Sequence, residues 1–402
     1  MTEARIPVAK DAPNRLQLGP LLSAVASRSP VSGLTHRFYR YPARFSPDFA
    51  ARAIEAFTEP GDYVLDPFMG GGTTVVEGLA RGRRVVGCDI NQLSGFLARV
   101  KSTPLSKDDV KAIESWVGRL EQLTNLRLSR LDQGDWQTYQ RNIPWWLRKT
   151  LEFALASVED LSSSRIQRFA RCSLIRTAQW ALDCRTVLPT RKDFLERHRS
   201  DLNDMLAGIA AFKERFHSSF DRERAPVTAQ RRLLVRDTAG LETDGRLPHE
   251  WGAPRLVLTS PPYVGVHILY HRWQVRSRRE TPAPYWLAGK LDGKPSSYYN
   301  FADRRQQHMT GYLAVMRATF SSIVRLMDER SILVQLVAFA QPEDQLPAYL
   351  GALSSLGLEQ ANLGLDDTVV SRSVPNRKWY ADVKGTIAAS EEFLLVHRKS
   401  AP

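Results

Sequence analysis

The stretch that most constrains the fold runs from Tyr63 to Asn91 and reads YVLDPF, MGGGTT, VVEGLARG and RRVVGCDIN. Short apolar runs on either side of a glycine turn and a helical segment are typical of a strand, a turn, a helix and a second strand. Strands as apolar as these suit a parallel sheet that is covered on both faces. The sequence therefore predicts an α/β domain built on such a sheet.

The glycine turn, Gly70–Gly72, follows the first strand directly. Glycine adopts positive φ angles without strain, so the backbone of this turn can approach a ligand closely, and amides at the start of the next helix can face a polar or anionic group. The turn departs from the GxGxxG pattern and lacks the GK[ST] ending of a phosphate-binding loop. Asp89, at the end of the next strand, can accept hydrogen bonds from both ribose hydroxyls of an adenosine-containing cofactor. The alternative is an ordinary glycine turn, with Asp89 capping a helix.

The rest of the chain alternates between strand-like and helical stretches. Strand-like runs occur at 231–235 and 254–260, and later in RSILVQLVAF and EEFLLVHRK. Residues 105–230 instead carry long stretches with helical spacing, such as WWLRKTLEFALASVEDL. We therefore predict four segments: a flexible N-terminal tail (1–30), the first part of the α/β domain (31–104), a helical insertion (105–230) and the second part of the α/β domain (231–402).

Two local features add to this prediction. Ser46 is a suitable N-cap and Pro47 a suitable first residue for a helix that continues to Phe57. The adjacent residues Trp145 and Trp146 are expected to belong to a helix core rather than to form a base-stacking platform.

A proline turn, Thr259–Tyr263, ends the run PRLVLTS and reads TSPPY. Two successive prolines cannot continue a sheet ladder, so the chain leaves the strand as a stiff turn. Open α/β sheets place their sites at this end of their strands. A hydroxyl, a backbone carbonyl and an aromatic ring held there can accept both hydrogens of an amino group and stack on the base that carries it. The alternative is a turn with a packed tyrosine.

Composition limits the setting and the partner. The net charge of +13 favours a polyanionic partner. The three cysteines have no CxxC spacing, so neither a disulfide framework nor a zinc site is indicated, and a cytoplasmic location is expected. No apolar run is long enough for a membrane helix, and the N-terminus does not read as a secretory signal.

Taken together, these motifs resemble the DNA amino-methyltransferases that act on N6 of adenine or N4 of cytosine. DPFMGGGTT resembles motif I of that family and TSPPY resembles motif IV, its catalytic turn. The weaker matches are HRFYRYPARF (36–45) to motif X, CDIN (88–91) to motif II and RDT (236–238) to motif III. The resemblance covers roughly 31–104 and 231–402. It implies a Rossmann-like methyltransferase sheet with helices on both faces and a helical insertion.

The resemblance also implies an activity. S-adenosyl-L-methionine would be the methyl donor, double-stranded DNA the substrate, and no metal would be needed. Ser260, directly before the two prolines of the catalytic turn, favours N4 of cytosine, because Asp or Asn at that position of the family motif usually accompanies adenine. The implied catalytic residues are Ser260, Pro261, Pro262 and Tyr263. The implied cofactor-binding residues are Arg44, Phe45, Asp66, Pro67, Phe68, Gly70, Gly72, Thr73, Thr74, Asp89, Ile90, Asp237 and Thr259.

Charge, rather than resemblance, points to a DNA-binding segment. Residues 264–310 contain 8 Lys and Arg against 3 Asp and Glu, whereas 105–230 contain 21 against 17. Prolines and glycines in the shorter segment predict a loop that grips DNA beside the flipped base, with interleaved Trp and Tyr residues stacking or wedging. The predicted DNA-binding residues are Arg272, Trp273, Arg276, Arg278, Arg279, Lys294, Arg377 and Lys378.

Several alternatives stay open at this point. The chain could be an N6-adenine enzyme, an RNA or protein amino-methyltransferase, or an inactive DNA-binding protein that keeps the fold. The helical insertion could hold target recognition instead of 264–310. A cognate restriction or defence partner fits such an enzyme, and the sequence leaves monomer and dimer open.

Overall fold

The computed structural model describes residues 15–27, 31–41, 45–122, 136–220, 226–263, 272–276, 279–292, 301, 309–339, 341–361, 370–374 and 390–400. Its strands are β1 (Tyr63–Asp66), β2 (Arg84–Asp89), β3 (Arg231–Val235), β4 (Leu256–Thr259), β5 (Trp273–Val275), β6 (Arg279–Thr281), β7 (Ile332–Ala338), β8 (Leu358–Gln360), β9 (Val370–Val374) and β10 (Ser390–Lys399). Its α-helices are α1 (Arg15–Ala26), α2 (Pro47–Phe57), α3 (Thr73–Leu79), α4 (Gln92–Lys101), α5 (Lys107–Gln122), α6 (Trp145–Val158), α7 (Ser164–Leu182), α8 (Arg191–Ser219), α9 (Ala283–Ala288), α10 (Met309–Leu326) and α11 (Pro342–Ser354).

The central sheet has the order β3-β2-β1-β4-β7-β10-β8, and β9 also pairs with β10. Strands β3, β2, β1, β4 and β7 are parallel, whereas β10 runs antiparallel to β7, β8 and β9. Apolar strands were expected to form a parallel sheet because both of their faces are covered, and β1, β4 and β7 are buried along their whole length. The expected α/β fold with helices on both faces is confirmed.

Helices cover the two sheet faces with separate cores. On one face α1 and α2 pack against Val64, Leu256 and Val334. On the other, α10 and α11 pack against Leu65 and Val257. The predicted cap of α2 is confirmed, because the Ser46 side chain accepts a hydrogen bond from the amide of Phe49. No described helix is long and apolar enough to cross a membrane.

The helical block α5–α8 shares one hydrophobic core with α3, α4 and α9. This core includes Trp116 and Phe212 from the block and Phe96 from α4. The helices predicted between 105 and 230 are therefore present. They rest on the half of the sheet that carries the glycine turn. The exact boundaries of the four predicted segments remain a prediction.

Two expectations about irregular segments are wrong. Residues 15–26 of the predicted flexible tail form α1, because Leu18, Leu21 and Val25 are buried against α2. The predicted loop at 264–310 contains the hairpin β5–β6 and the helix α9. The apolar side chains of these elements, such as Trp273, Val275 and Trp286, are buried rather than presented to solvent.

Candidate active site

The candidate site lies where the strand order reverses. From β1 the sheet continues to β2 and β3 on one side and to β4 and β7 on the other. Ligands of open α/β sheets bind in the crevice outside the carboxyl ends of strands at such a point. Asp66 ends β1 and Thr259 ends β4, and the Thr259 hydroxyl donates to Asp66 Oδ1 over 3.3 Å. The two sequence motifs therefore meet at one edge of the sheet.

The glycine turn connects β1 to α3 and packs against the end of β2. The Met69 amide donates to the Cys88 carbonyl at 2.9 Å, and the Gly70 amide donates to Asp89 Oδ2 at 2.8 Å. Gly70 and Gly72 have φ angles of 46° and 74°, in the left-handed region that favours glycine. Asp89 therefore lies directly against the glycine turn.

The space beside these glycines is occupied by the protein itself. A Cβ on Gly70 would meet the ring of Tyr41 at 3.0 Å, and one on Gly72 would lie 2.9 Å from the Cβ of Ala98 in α4. The buried Lys101 ammonium donates to the Gly71 carbonyl at 2.7 Å. The glycines therefore allow an aromatic ring and a helix to pack closely. The sequence had suggested that they make room for the cofactor itself.

Two carboxyl groups dominate the electrostatics of the site. Burial raises the pKa of Asp66 to about 7, and the charge of Asp89 adds to this effect, while hydrogen bonds oppose it. Burial likewise raises the pKa of Asp89 to about 6, against hydrogen bonds from the Asn91 and Gly70 amides and from Ser94. Two desolvated carboxyl groups of this kind suit a ligand that carries positive charge.

The remaining predicted cofactor residues occupy different surroundings. Pro67 accepts a 2.6 Å hydrogen bond from the Thr238 hydroxyl, and the ring of Phe68 packs against Phe301. Thr73 and Thr74 are buried at the start of α3, and Ile90 is half-buried beside Asp89. Asp237 is exposed. The residue before it, Arg236, donates its backbone amide to the Asp89 carbonyl at 2.9 Å. Phe45 packs on Phe49 in the core formed with α1 and α2, and Arg44 lies outside the described residues.

The proline turn, Thr259–Tyr263, is held by side chains from the core. Ser260 Oγ donates to the Tyr263 hydroxyl at 3.0 Å, and Tyr312 donates to the Pro262 carbonyl at 2.7 Å. Pro261 is buried. The Tyr263 ring is only 8% exposed, so in this conformation it packs in the core instead of facing a base.

Sequence reasoning missed Glu392, which lies on β10 opposite Ala338 of β7. Its side chain is buried and accepts from the Tyr263 hydroxyl at 3.3 Å. The sequence offered a weak signal, because two acidic residues precede the apolar run of this strand. Alternation along the strand turns one of them inward, but only the antiparallel pairing places that carboxylate beside the proline turn.

Sequence reasoning gave Tyr41 no separate role, and it missed Asn91. The Tyr41 hydroxyl lies 2.8 Å from Ser94 Oγ, which itself bonds to Asp89. Asn91 caps α4, and its Nδ2 donates to the Tyr285 hydroxyl at 2.8 Å. Through these contacts the stretch 36–41 and α9 border the end of β2.

The predicted DNA-binding residues do not share one environment. Trp273 is buried and donates to the Tyr39 hydroxyl at 3.3 Å, so its ring is not available to DNA in this conformation. Arg272 pairs with the buried Asp292 at 2.7 Å. Arg276 and Arg279 are exposed at the tip of the β5–β6 hairpin. The others lie outside the described residues: Arg278, Lys294, Arg377 and Lys378.

Comparison with known proteins gives a family for one part of the chain. Residues 21–93 match the N6/N4 methyltransferase family model, described as a DNA methylase. The chain is 31% identical over 144 residues to the Type II methyltransferase M.MvaI of Kocuria varians, which is 33% of this chain and 30% of that protein. It is 32% identical over 79 residues to the Type II methyltransferase M.MjaII of Methanocaldococcus jannaschii, covering 20% of this chain and 14% of that protein. The matches thus span about a third or less of each relative's length. They confirm the resemblance of this part of the chain to the N6/N4 methyltransferase family.

Among solved structures, the rRNA methyltransferase aviRa from Streptomyces viridochromogenes is similar at 11% sequence identity. The alignment covers 93% of this chain and 92% of that one, with a TM-score of 0.34. A similarity of this size supports no inference about the substrate.

Proposed function

We propose that this chain, whose residues 21–93 match the N6/N4 DNA methylase family, transfers a methyl group from S-adenosyl-L-methionine to an amino group of a base in double-stranded DNA. The observation that carries the proposal is the junction of the glycine turn with the proline turn. Asp66 and Thr259 are in contact, and Asp89 lies beneath Gly70. N4 of cytosine is the proposed target, with Ser260 as the reason, and N6 of adenine is the alternative.

The residues at this edge fit the cofactor by their chemistry. S-adenosyl-L-methionine is a cation at its sulfonium and at its amino group, and it supplies a methyl group activated for transfer. Asp66 and Asp89 are carboxyl groups whose desolvation such positive charges would relieve. We propose that Asp89 holds the ribose hydroxyls. The other residues proposed to line the cofactor are Arg44, Phe45, Pro67, Phe68, Gly70, Gly72, Thr73, Thr74, Ile90, Asp237 and Thr259.

Ser260 is proposed to orient the amino group of a base that has been flipped out of the duplex. A hydroxyl has one hydrogen to donate and two lone pairs that accept. Because the Ser260 hydrogen is directed to Tyr263, its lone pairs are left to accept hydrogens from the base. The Pro261 carbonyl is proposed as the second acceptor. Positioning of this kind can contribute on the order of 7–11 kcal/mol to the lowering of a barrier.

Two acceptors set the direction of these hydrogen bonds. The Tyr263 hydroxyl lies 3.3 Å from Glu392 Oε1 and 3.4 Å from the Leu336 carbonyl, so its hydrogen is directed to these oxygens and it accepts from Ser260. Stacking of Tyr263 on the base would require its ring to leave the core position that it occupies here. A cytoplasmic location and a cognate restriction or defence partner remain predictions.

Transfer of a labelled methyl group to duplex DNA tests the proposed function. Tyr263→Phe keeps the ring but frees the Ser260 hydroxyl, so we expect transfer to slow about tenfold while cofactor affinity stays within about twofold. Tyr349→Phe is the matched control, because it removes a buried hydroxyl that bonds to Gln335 in the same core. Label found in RNA or protein but not in DNA would contradict the proposed substrate. A Tyr263→Phe protein as fast as the parent would contradict the role of the turn.

A further inference from the structure

An exposed basic surface lies beside the candidate site, where the helical block meets the β5–β6 hairpin. Arg276 and Arg279 are exposed on the hairpin, and Arg141 is exposed on the segment before α6. Trp145, the first residue of α6, is 56% exposed. We call these four residues the hairpin surface. The expectation that Trp145 belongs to a helix core is wrong, whereas Trp146 does pack against the core beside Phe194.

The hairpin is joined to the helical block by hydrogen bonds. The Gln274 amide donates to Asp183 Oδ1 at 3.1 Å, and the Cys184 amide donates to the Gln274 carbonyl at 3.0 Å. The buried Trp273 anchors the same strand to Tyr39. The hairpin therefore presents its two arginines from a fixed base.

The segment that carries Arg141 is joined directly to the second strand of the hairpin. Asn142 Nδ2 donates to the Glu280 carbonyl at 2.8 Å, and the Thr281 hydroxyl donates to the Tyr139 carbonyl at 3.3 Å. Arg141 is next to Asn142 in the chain, and Arg279 is next to Glu280. Trp145 follows Asn142 by three residues, so their Cα atoms are at most about 11 Å apart.

The charge of this surface is positive. Glu280 is the acidic residue nearest in the chain to Arg276 and Arg279. Asp292 and Asp183 lie close by, but they pair with Arg272 and Arg40 at 2.7 and 2.6 Å. An exposed tryptophan among arginines combines phosphate contacts with an aromatic ring, which is the combination that nucleic-acid-binding surfaces use.

The surface borders the candidate site through α9. Tyr285 on this helix accepts from Asn91, two residues beyond Asp89. Only one residue, Pro282, separates β6 from α9. The hairpin and the end of β2 are therefore parts of one packed unit, and a duplex that delivers a base to the site would pass close to the hairpin.

We infer that the hairpin surface binds the backbone of the DNA duplex, with Arg141, Arg276 and Arg279 on phosphates and the ring of Trp145 against sugar and base edges. This inference rests on the proposed function and extends it to Arg141 and Trp145 in the helical block. Binding of the DNA would then be shared between the helical block and the segment 264–310, which follows the proline turn.

The test measures the affinity of the full chain for a random-sequence DNA duplex as a function of salt concentration. Arg141→Ala/Arg276→Ala/Arg279→Ala should make the plot of log affinity against log salt shallower by about two to three units. Trp145→Ala should leave that slope unchanged and weaken binding at least about fivefold, and Trp145→Phe should restore most of the affinity. Arg317→Ala/Arg330→Ala removes exposed arginines from α10 and from the opposite edge of the sheet, and should match the parent.

Three results would contradict this account at different levels. If the triple variant has the slope and affinity of the control while the parent binds and methylates DNA, the hairpin surface is not the contact and the proposed function stands. If the parent binds a double-stranded RNA more tightly than DNA, and loses that binding in the triple variant, the occupant is RNA. If the parent neither binds nor methylates DNA, the proposed function itself fails.

Discussion

At the scale of single residues, the main electrostatic feature of the site is the burial of two carboxyl groups, Asp66 and Asp89. Burial raises their pKa values to about 7 and about 6, from 3.8 in the unfolded chain. The folded protein therefore binds more protons than the unfolded chain between about pH 4 and 7. The contribution of these groups to stability is greatest at low pH and falls as the pH rises through 6 and 7. A cationic ligand that pairs with the ionised carboxylates should reverse this loss.

Cofactor binding should consequently depend on pH. The binding-competent form has Asp66 ionised, so we expect affinity for S-adenosyl-L-methionine to rise about tenfold between pH 6 and 7.5, with protons released on binding. Asp66→Asn should weaken binding and remove most of this pH dependence. The control is Asp108→Asn, on a side chain that is 95% exposed in α5. Calorimetry in buffers of different ionisation enthalpy measures both quantities. A parent affinity that is constant over this range would contradict the pairing.

At the scale of elements, the approach of α4 to the glycine turn decides the shape of the site. Gly72 has a positive φ, and a Cβ there would lie 2.9 Å from the Ala98 Cβ and 3.1 Å from its Cα. A helix backbone cannot move aside as a flexible side chain can. The bond between Lys101, on the same helix, and the Gly71 carbonyl depends on this close packing.

Gly72→Ala should therefore lower the free energy of unfolding by at least about 1–2 kcal/mol and weaken cofactor binding. Gly118→Ala is the matched control, because Gly118 lies in α5 with no neighbour within 4 Å of its Cβ position. That change should stabilise the protein by about 0.5–1 kcal/mol. Chemical denaturation measures both variants. Equal stability of the two proteins would show that α4 does not pack as described.

The elements also show what a sequence can and cannot reveal. Strands β1 to β4, β7 and β10 were predicted because their apolar runs are local signals, and the glycine and proline turns lie at their ends. Trp273 was assigned to DNA binding from the basic composition of its segment. Its burial was missed because its partner, Tyr39, is 234 residues away. The role of Glu392 likewise depends on the antiparallel pairing of β10 with β7. Long-range burial of this kind leaves no periodic pattern near the residue concerned.

At the scale of the whole molecule, a net charge of +13 and a site at the sheet edge both favour a polyanionic partner. The helical block shares a core with the half of the sheet that carries the glycine turn, so the basic hairpin surface and the candidate site are parts of one packed structure. Under the proposed function, the molecule would be a positively charged scaffold that presents one edge of its sheet to a duplex.

Mass spectrometry of nucleosides tests the central claim most directly. Duplex DNA incubated with the purified protein and S-adenosyl-L-methionine is digested, and its methylated nucleosides are identified. The account predicts N4-methylcytosine with the parent protein and none with Ser260→Ala. N6-methyladenine alone would overturn the choice of base. A digest without any methylated amino group, from protein that binds the cofactor, would contradict the assignment as a DNA amino-methyltransferase.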